Sequence, residues 1–162
     1  MEFVKGLQTL GSPFGAYLRG DTDAMNEQSI RGWKAFQQVG CLQCHQGRNI
    51  GGSMIQQFSY FQTREKNLDT GRHLRTSDGE DKPYFRVASL RNVGQTGPYF
   101  HNGQVDKLSD AIQIMSQVQL GVTMSDDKVA DIEAFLMTLS SPRPAILAVS
   151  YTHLRAHETV RN

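Results

Sequence analysis

The sequence has little cysteine, little excess charge and no long apolar run. Its 162 residues include two cysteines and carry a formal net charge of +1. A disulfide scaffold needs more cysteines, spread along the chain, so that class is excluded. No stretch approaches the roughly 20 apolar residues that cross a bilayer. The near-neutral charge gives no reason to expect nucleic acid or a membrane surface as partner.

What is present favours one globular domain that is mainly α. With 38% apolar residues, the chain is long enough to bury a core. Apolar residues recur at helical spacing in 27–39, in 106–118 and from Asp126 to Ser140, and these three segments are predicted helices. Ser125 is a predicted N-cap, and Gly40 and Gly121 are predicted to end the two earlier helices.

The remaining segments are predicted to be irregular. Residues 3–10 look like the end of a helix that Gly11, Ser12 and Pro13 break, with an irregular segment following to Asn26. The stretch from Gln46 to Tyr84 is rich in small and polar residues, which predicts long loops with short helical turns. No strand alternation is apparent. Such a long irregular segment is typical of a domain that a large cofactor organises.

The two cysteines belong to one motif, Cys41-Leu42-Gln43-Cys44-His45. In Cys-x-x-Cys-His, each thiol adds to one vinyl group of a porphyrin, and the histidine becomes the proximal iron ligand. A thioredoxin-type redox pair would require a βαβ setting, and a zinc site would require two further ligands at matching spacing. The motif therefore predicts one covalently bound haem c, held by Cys41 and Cys44 with His45 on the iron.

The helices that flank this motif are predicted to pack on each other. Gly32 permits a close approach of the helix that precedes the motif to the C-terminal helix, and Phe36 can bury against Phe135 and Leu136.

The distal iron ligand is less clear from the residues alone. A methionine thioether favours ferrous iron. Met115 lies well beyond the motif and before the last helix, where a ligand can fold over the opposite haem face. The alternatives that stay open are Met54, Met124, His73 and His101, and Met25 and Met137 are weaker candidates.

Several segments resemble the bacterial di-haem cytochrome c peroxidases. The resemblance covers residues 3–144, and its most specific part runs from Leu-Arg-Asn to His-Asn-Gly. The matching segments are Ser12-Pro13-Phe14-x-x-Tyr17-Leu18-x-Gly20-Asp21, Arg31-Gly32-x-x-x-Phe36, Phe85-Arg86-Val87-Ala88-Ser89-Leu90-Arg91-Asn92-Val93-x-x-Thr96-x-Pro98-Tyr99-Phe100-His101-Asn102-Gly103, and Ala111-Ile112-x-x-Met115.

This resemblance implies a cytochrome c-like haem domain with long loops around one haem c. It matches only the C-terminal domain of the family, so residues 1–20 would be the end of a missing N-terminal domain and a linker, and 21–144 the haem domain. Met115 becomes the implied distal ligand. Backbone carbonyls of Thr96 and Pro98 become implied calcium ligands. Arg91 could pair with a haem propionate or cap a loop.

The implied function is electron transfer within a cytochrome-c peroxidase. A small donor, a cytochrome c or a cupredoxin, would reduce this high-potential haem, which would pass electrons to a peroxide-reducing haem in the missing domain. The chain alone would then be inactive as a peroxidase. The full protein would be periplasmic, with a signal peptide upstream, and could form a homodimer. The rival hypothesis is a free-standing monohaem cytochrome c that carries electrons without belonging to an enzyme.

The C-terminal segment 145–162 differs in character from the rest of the chain. Residues 149–159 resemble a translated sequencing adapter, so this segment is expected to be a non-native tail. His153 and His157 are therefore not counted as ligands.

Overall fold

A computed structural model describes residues 9–62 and 70–144 of the chain. The predicted N-terminal helix, over 3–10, lies mostly outside these residues, as does the predicted tail. The described α-helices and β-strands are α1 Pro13–Leu18, α2 Glu27–Val39, β1 Ile55–Gln57, α3 His73–Thr76, β2 Tyr84–Arg86, α4 Leu108–Leu120 and α5 Asp126–Met137.

The prediction of an irregular segment between Gly11 and Asn26 is wrong at residues Pro13–Leu18, which form helix α1. It begins at Pro13, and the hydroxyl of Ser12 caps it by accepting a hydrogen bond from the Gly15 amide at 3.2 Å. Proline breaks a helix from inside but suits the first helical position, where its missing N–H would have had no partner. Ser12 and Pro13 are therefore a start signal. A short 3₁₀ turn, Thr22–Ala24, follows.

Helix α2 has the predicted bounds. Asn26 caps its start, because its side-chain oxygen accepts a hydrogen bond from the Ser29 amide at 2.8 Å. Gly40 ends it at φ 104°, a left-handed conformation that glycine adopts without steric penalty. The chain then passes directly into a 3₁₀ turn, Cys41–Gln43.

Helices α4 and α5 are both present, with bounds that differ slightly from the prediction. Helix α4 lies two residues later than expected, since Lys107 is still extended, and Gly121 ends it at φ 66° as predicted. Helix α5 starts after Ser125, whose side chain makes no capping hydrogen bond, and ends at Met137, three residues before the predicted Ser140.

The core forms where α2 and α5 cross. Phe135 of α5 is fully buried, and its ring lies 5.1 Å from Phe14, 5.0 Å from Trp33 and 5.3 Å from Phe36, measured between centroids. The predicted packing of Phe36 against Phe135 is therefore confirmed. Helix α1 also joins this core through Phe14, which explains why so short a helix is stable.

A small antiparallel sheet has its first strand inside the segment predicted to be loops, and its second strand begins at Tyr84, the last residue of that segment. Strand β1 pairs with β2 in the register Ile55 to Arg86 and Gln57 to Tyr84. Each strand has three residues, too few to display an alternating pattern, so the sequence did not predict them. Helix α3 and a 3₁₀ turn, Gly79–Asp81, confirm the predicted short helical turns. No helix among the described residues is long and apolar enough to cross a membrane.

Candidate functional site

The end of α2 presents both cysteines and the adjoining histidine on one tight turn. The amides of Cys44 and His45 both donate to the Cys41 carbonyl, at 3.3 and 3.0 Å. Both cysteines are free thiols and half-buried. Gly40 turns the chain at the start of this segment, so the side chains of Cys41, Cys44 and His45 all extend from one turn directly after α2.

Burial changes the chemistry of Cys41. Its side chain packs against the hydrophobic core, and this desolvation raises the pKa of the Cys41 thiol to about 11. The thiol therefore stays protonated at neutral pH, unlike a catalytic cysteine, whose thiolate is stabilised. This observation disfavours a nucleophilic or thioredoxin-like role.

The imidazole of His45 lies against the core of the domain. Its ring centroid is 6.3 Å from that of Phe36. Burial lowers the pKa of His45, while the main chain of Ile50 and Ala88 acts in the opposite direction. Its Nδ1 atom is buried and makes no hydrogen bond with the described residues. A neutral, buried imidazole is the form that binds a metal ion.

The segment 46–54 is fastened to the segment that follows β2. The Gly52 amide donates to the Val87 carbonyl at 2.9 Å, and the Leu90 amide donates to the Ile50 carbonyl at 3.1 Å. The Ser89 hydroxyl adds a bond to the Asn49 carbonyl at 2.9 Å. These contacts hold the main chain around His45 in place.

The candidate distal methionines fall into three groups by exposure. Met25 and Met124 are only 5% and 6% exposed and belong to the hydrophobic core, so packing explains them. Met137 is 50% exposed on α5. Met54 and Met115 are half-buried, which leaves part of each side chain open to a ligand. The assignment of the distal position to Met115 stays a prediction.

The two candidate histidines have other contacts. His73 Nδ1 lies 2.6 Å from the Asp78 carbonyl oxygen. His101 stacks on Phe85 with 4.3 Å between ring centroids. Both positions are explained by local packing, and neither histidine is joined to the cysteine turn by these contacts.

Thr96 and Pro98, the predicted calcium ligands, lie on an exposed turn. Thr96 follows a 3₁₀ turn, Val93–Gln95, and its hydroxyl donates to the Val93 carbonyl at 3.4 Å. Within 9–62 and 70–144, no three side chains of His, Cys, Asp or Glu gather as a metal site. A calcium site there would rest on main-chain oxygens, and it stays a prediction.

Arg91 contacts the N-terminal segment of the described chain. Its Nε donates to the Thr9 hydroxyl at 2.9 Å, and the Asn92 amide group donates to the same oxygen at 3.1 Å. Of its two predicted roles, this contact matches the capping of a loop.

Sequence reasoning missed the main chain that surrounds His45. Ile50, Gly51 and Ala88 lie against the imidazole, although Ala88 is more than forty positions away in sequence. Two consecutive glycines, Gly51 and Gly52, were the only local signal, and glycine pairs are also common in ordinary loops.

Comparison with curated proteins supports the predicted resemblance. Two proteins named cytochrome c551 peroxidase, from Pseudomonas aeruginosa and Nitrosomonas europaea, are 42% and 39% identical to this chain over 144 residues. These matches cover 86% and 88% of this chain but 42% and 43% of the relatives. Cytochrome c peroxidase Ccp of Escherichia coli is 38% identical, over 86% of this chain and 31% of the relative. The chain thus spans less than half the length of these relatives. No family model matches it.

A solved structure supports the fold. The crystal structure of a MauG-like protein associated with microbial copper homeostasis superposes with a TM-score of 0.69 at 24% identity, covering 81% of this chain and 52% of that one. The predicted mainly α, cytochrome c-like haem fold is confirmed.

Proposed function

We propose that this chain, which belongs to the bacterial di-haem cytochrome c peroxidase family, binds one haem c at the turn after α2 and transfers electrons through it. The observation that carries the proposal is the arrangement of this turn. Two half-buried free thiols and a half-buried imidazole with a buried Nδ1 atom extend from one hydrogen-bonded turn at the edge of the core. These residues fit haem c, because covalent attachment needs both thiols and iron needs an unprotonated imidazole nitrogen.

Each residue has a distinct role in the proposal. Cys41 and Cys44 form the thioethers, His45 provides the proximal nitrogen, and Met115 provides the distal sulfur. The bound haem supplies one-electron chemistry at its iron, and His/Met ligation raises its potential relative to His/His ligation. Helix α2 is packed on α5 directly before the turn, and this packing would hold Cys41, Cys44 and His45 in position for the group.

The wider role is that of the high-potential domain of a cytochrome-c peroxidase. A small soluble donor, a cytochrome c or a cupredoxin, would deliver single electrons to this domain. A second haem domain, outside this chain, would use two of them with two protons to convert hydrogen peroxide into two waters. The names and the partial coverage of the relatives support this proposal.

Three further features belong to the proposal for the full protein. It would be periplasmic, because haem c attachment takes place outside the cytoplasm. Calcium would bind to main-chain oxygens of Thr96 and Pro98, as suits a hard cation. The full protein could also be a homodimer.

Maturation in a host that exports the chain and attaches haem c tests the central claim. We expect a red protein whose haem stays with the polypeptide in a denaturing gel and gives the pyridine haemochrome spectrum of two thioethers. The variant with Cys41→Ser and Cys44→Ser is the control, and it should lose covalent haem. A colourless wild-type protein, with both thiols open to alkylation, would overturn the proposal.

A peroxide assay tests the division of labour. The haem-loaded chain should exchange electrons with a small donor but turn over hydrogen peroxide poorly. Rapid turnover with Met115 unchanged would contradict the assignment of peroxide reduction to another domain. The rival role of a free-standing carrier is distinguished by the gene upstream: a second Cys-x-x-Cys-His supports the peroxidase, and a signal peptide directly before Met1 supports the carrier.

A further inference from the structure

Two polar groups border the same small space beside the candidate site. One is Nδ1 of His45, which is buried and makes no hydrogen bond with the described residues. The other is the carbonyl oxygen of Ala88, which accepts no hydrogen bond from the main chain of the described residues. Both lie next to the point where a side chain at position 51 would begin. A buried polar atom without a partner destabilises a fold, so the Nδ1 atom of His45 requires an explanation.

Glycine at position 51 is what lets these groups approach each other. A Cβ there would overlap the Ala88 carbonyl oxygen and would lie 3.2 Å from His45 Nδ1. Gly51 is also buried and has φ 123°, a conformation that favours glycine. Any side chain at this position would push the carbonyl and the imidazole apart.

The Ala88 carbonyl is held in place from both sides. The Val87 carbonyl accepts from the Gly52 amide at 2.9 Å, and the Leu90 amide donates to the Ile50 carbonyl at 3.1 Å. The Ile50 carbonyl thus already accepts one hydrogen bond, whereas the Ala88 carbonyl accepts none from the main chain of the described residues. The Gly51 amide is itself fixed, by a bond to the Gln46 carbonyl at 2.9 Å.

We propose that Gly51 is a positioning residue for His45: it admits the Ala88 carbonyl as the acceptor for Nδ1–H, which leaves Nε2 as the nitrogen that binds iron. The inference rests on the proposed haem function. A hydrogen bond from the second ring nitrogen fixes the tautomer and the ring orientation of a ligating histidine and makes it a stronger donor to the metal. Stronger donation favours ferric iron, so this contact lowers the reduction potential.

Two neighbouring glycines provide a matched pair of variants. Gly51→Ala should displace the Ala88 carbonyl from Nδ1. Gly52→Ala is the control, because Gly52 also has a positive φ, 84°, but a Cβ there would come only within 3.4 Å of the Arg86 guanidinium and 3.9 Å of Ser89. Backbone strain is therefore present in both variants, whereas only the Gly51→Ala side chain would contact the Ala88 carbonyl.

The potential of the haem-loaded protein is the first measurement. We expect Gly51→Ala to raise it relative to both the wild type and Gly52→Ala, with the haem still covalently bound. Equal potentials in all three proteins would overturn the inference, and so would an equal rise in both variants. A wild-type chain that binds no haem would refute the proposed function instead, so the two failures are distinguishable.

A second measurement needs no variant and applies even if Gly51→Ala fails to fold. In the diamagnetic ferrous wild type, the His45 Nδ1 proton should exchange slowly with solvent and show a coupling across the hydrogen bond to the Ala88 carbonyl carbon. A proton that exchanges within the dead time, or one coupled to the Ile50 carbonyl, would contradict the assignment.

Discussion

Gly32 on α2 lies directly against the main-chain carbonyl of Asp131 on α5, so closely that a Cβ at Gly32 would overlap that oxygen. Arg31, the preceding residue, binds the Asp131 carboxylate through two nitrogens, at 3.2 and 3.1 Å. The two helices therefore meet main chain to main chain at one defined point. Because α2 ends at the cysteine turn, this crossing also sets the position of the candidate site.

We expect Gly32→Ala to destabilise the domain by about 1–3 kcal/mol, the usual effect of an overpacked contact. The carbonyl of Asp131 is part of a helix and cannot move aside without displacing α5. Urea unfolding measures the change. Gly79→Ala is the control, since a Cβ at Gly79 would meet nothing within 4 Å. Equal stability of the two variants would contradict the close crossing.

Phe135→Ala should be more severe, with a loss of about 3–5 kcal/mol. The Phe135 side chain is fully buried, and its ring contacts Phe14, Trp33 and Phe36. Truncation would leave a cavity that these rings cannot close. Thermal unfolding of Phe135→Ala can be compared with that of Met137→Ala, which removes a half-exposed side chain from the same helix. A midpoint unchanged from the wild type would refute this description of the core.

Met115→Ala tests the distal ligand. We expect the sulfur–iron charge-transfer band of the oxidised haem protein to disappear, because the thioether that produces it is lost. Visible absorption spectroscopy measures the band. Met137→Ala serves as the control and should keep it. Survival of the band in Met115→Ala would transfer the ligand to Met54, the other half-buried candidate.

Cys41 should react slowly with alkylating agents in the haem-free protein at neutral pH. Burial raises the pKa of this thiol to about 11, from about 8.5 in an open chain, and only the thiolate is nucleophilic. In the Cys44→Ser variant, the alkylation rate should therefore rise about tenfold per pH unit up to the thiol pKa. Iodoacetamide labelling followed by mass spectrometry measures the alkylation rate of Cys41 at each pH.

The control for this experiment is an exposed thiol on the same turn, made by Leu42→Cys with both native cysteines replaced by serine. Its rate should level off at a lower pH. The same pKa shift makes the stability of the fold depend on pH. Burial of the neutral thiol stabilises the fold below about pH 8.5, and that contribution falls as the pH rises toward 11. A plateau for Cys41 near pH 8.5 would contradict its burial.

Local sequence signals predicted the elements whose ends are defined by single residues. The bounds of α2 were predicted because Gly40 ends it and because Ile30, Trp33 and Phe36 mark one face. Helix α1 was missed because Pro13 was interpreted as a breaker, although Ser12 caps the helix that it begins. The pair of β1 and β2 was missed since its register joins Ile55 to Arg86, thirty-one positions apart.

The sequence by itself determined the chemistry: two thiols and an imidazole within five residues, after an amphipathic helix that Gly40 ends. Such features depend on covalent neighbours and on helical periodicity. Only the tertiary structure decided that the Nδ1 atom of His45 is buried beside Gly51 and Ala88, and that Met124 is buried in the core while Met115 is half-buried. The physical reason is that burial and close contact arise from segments far apart in sequence, whose approach no local pattern encodes.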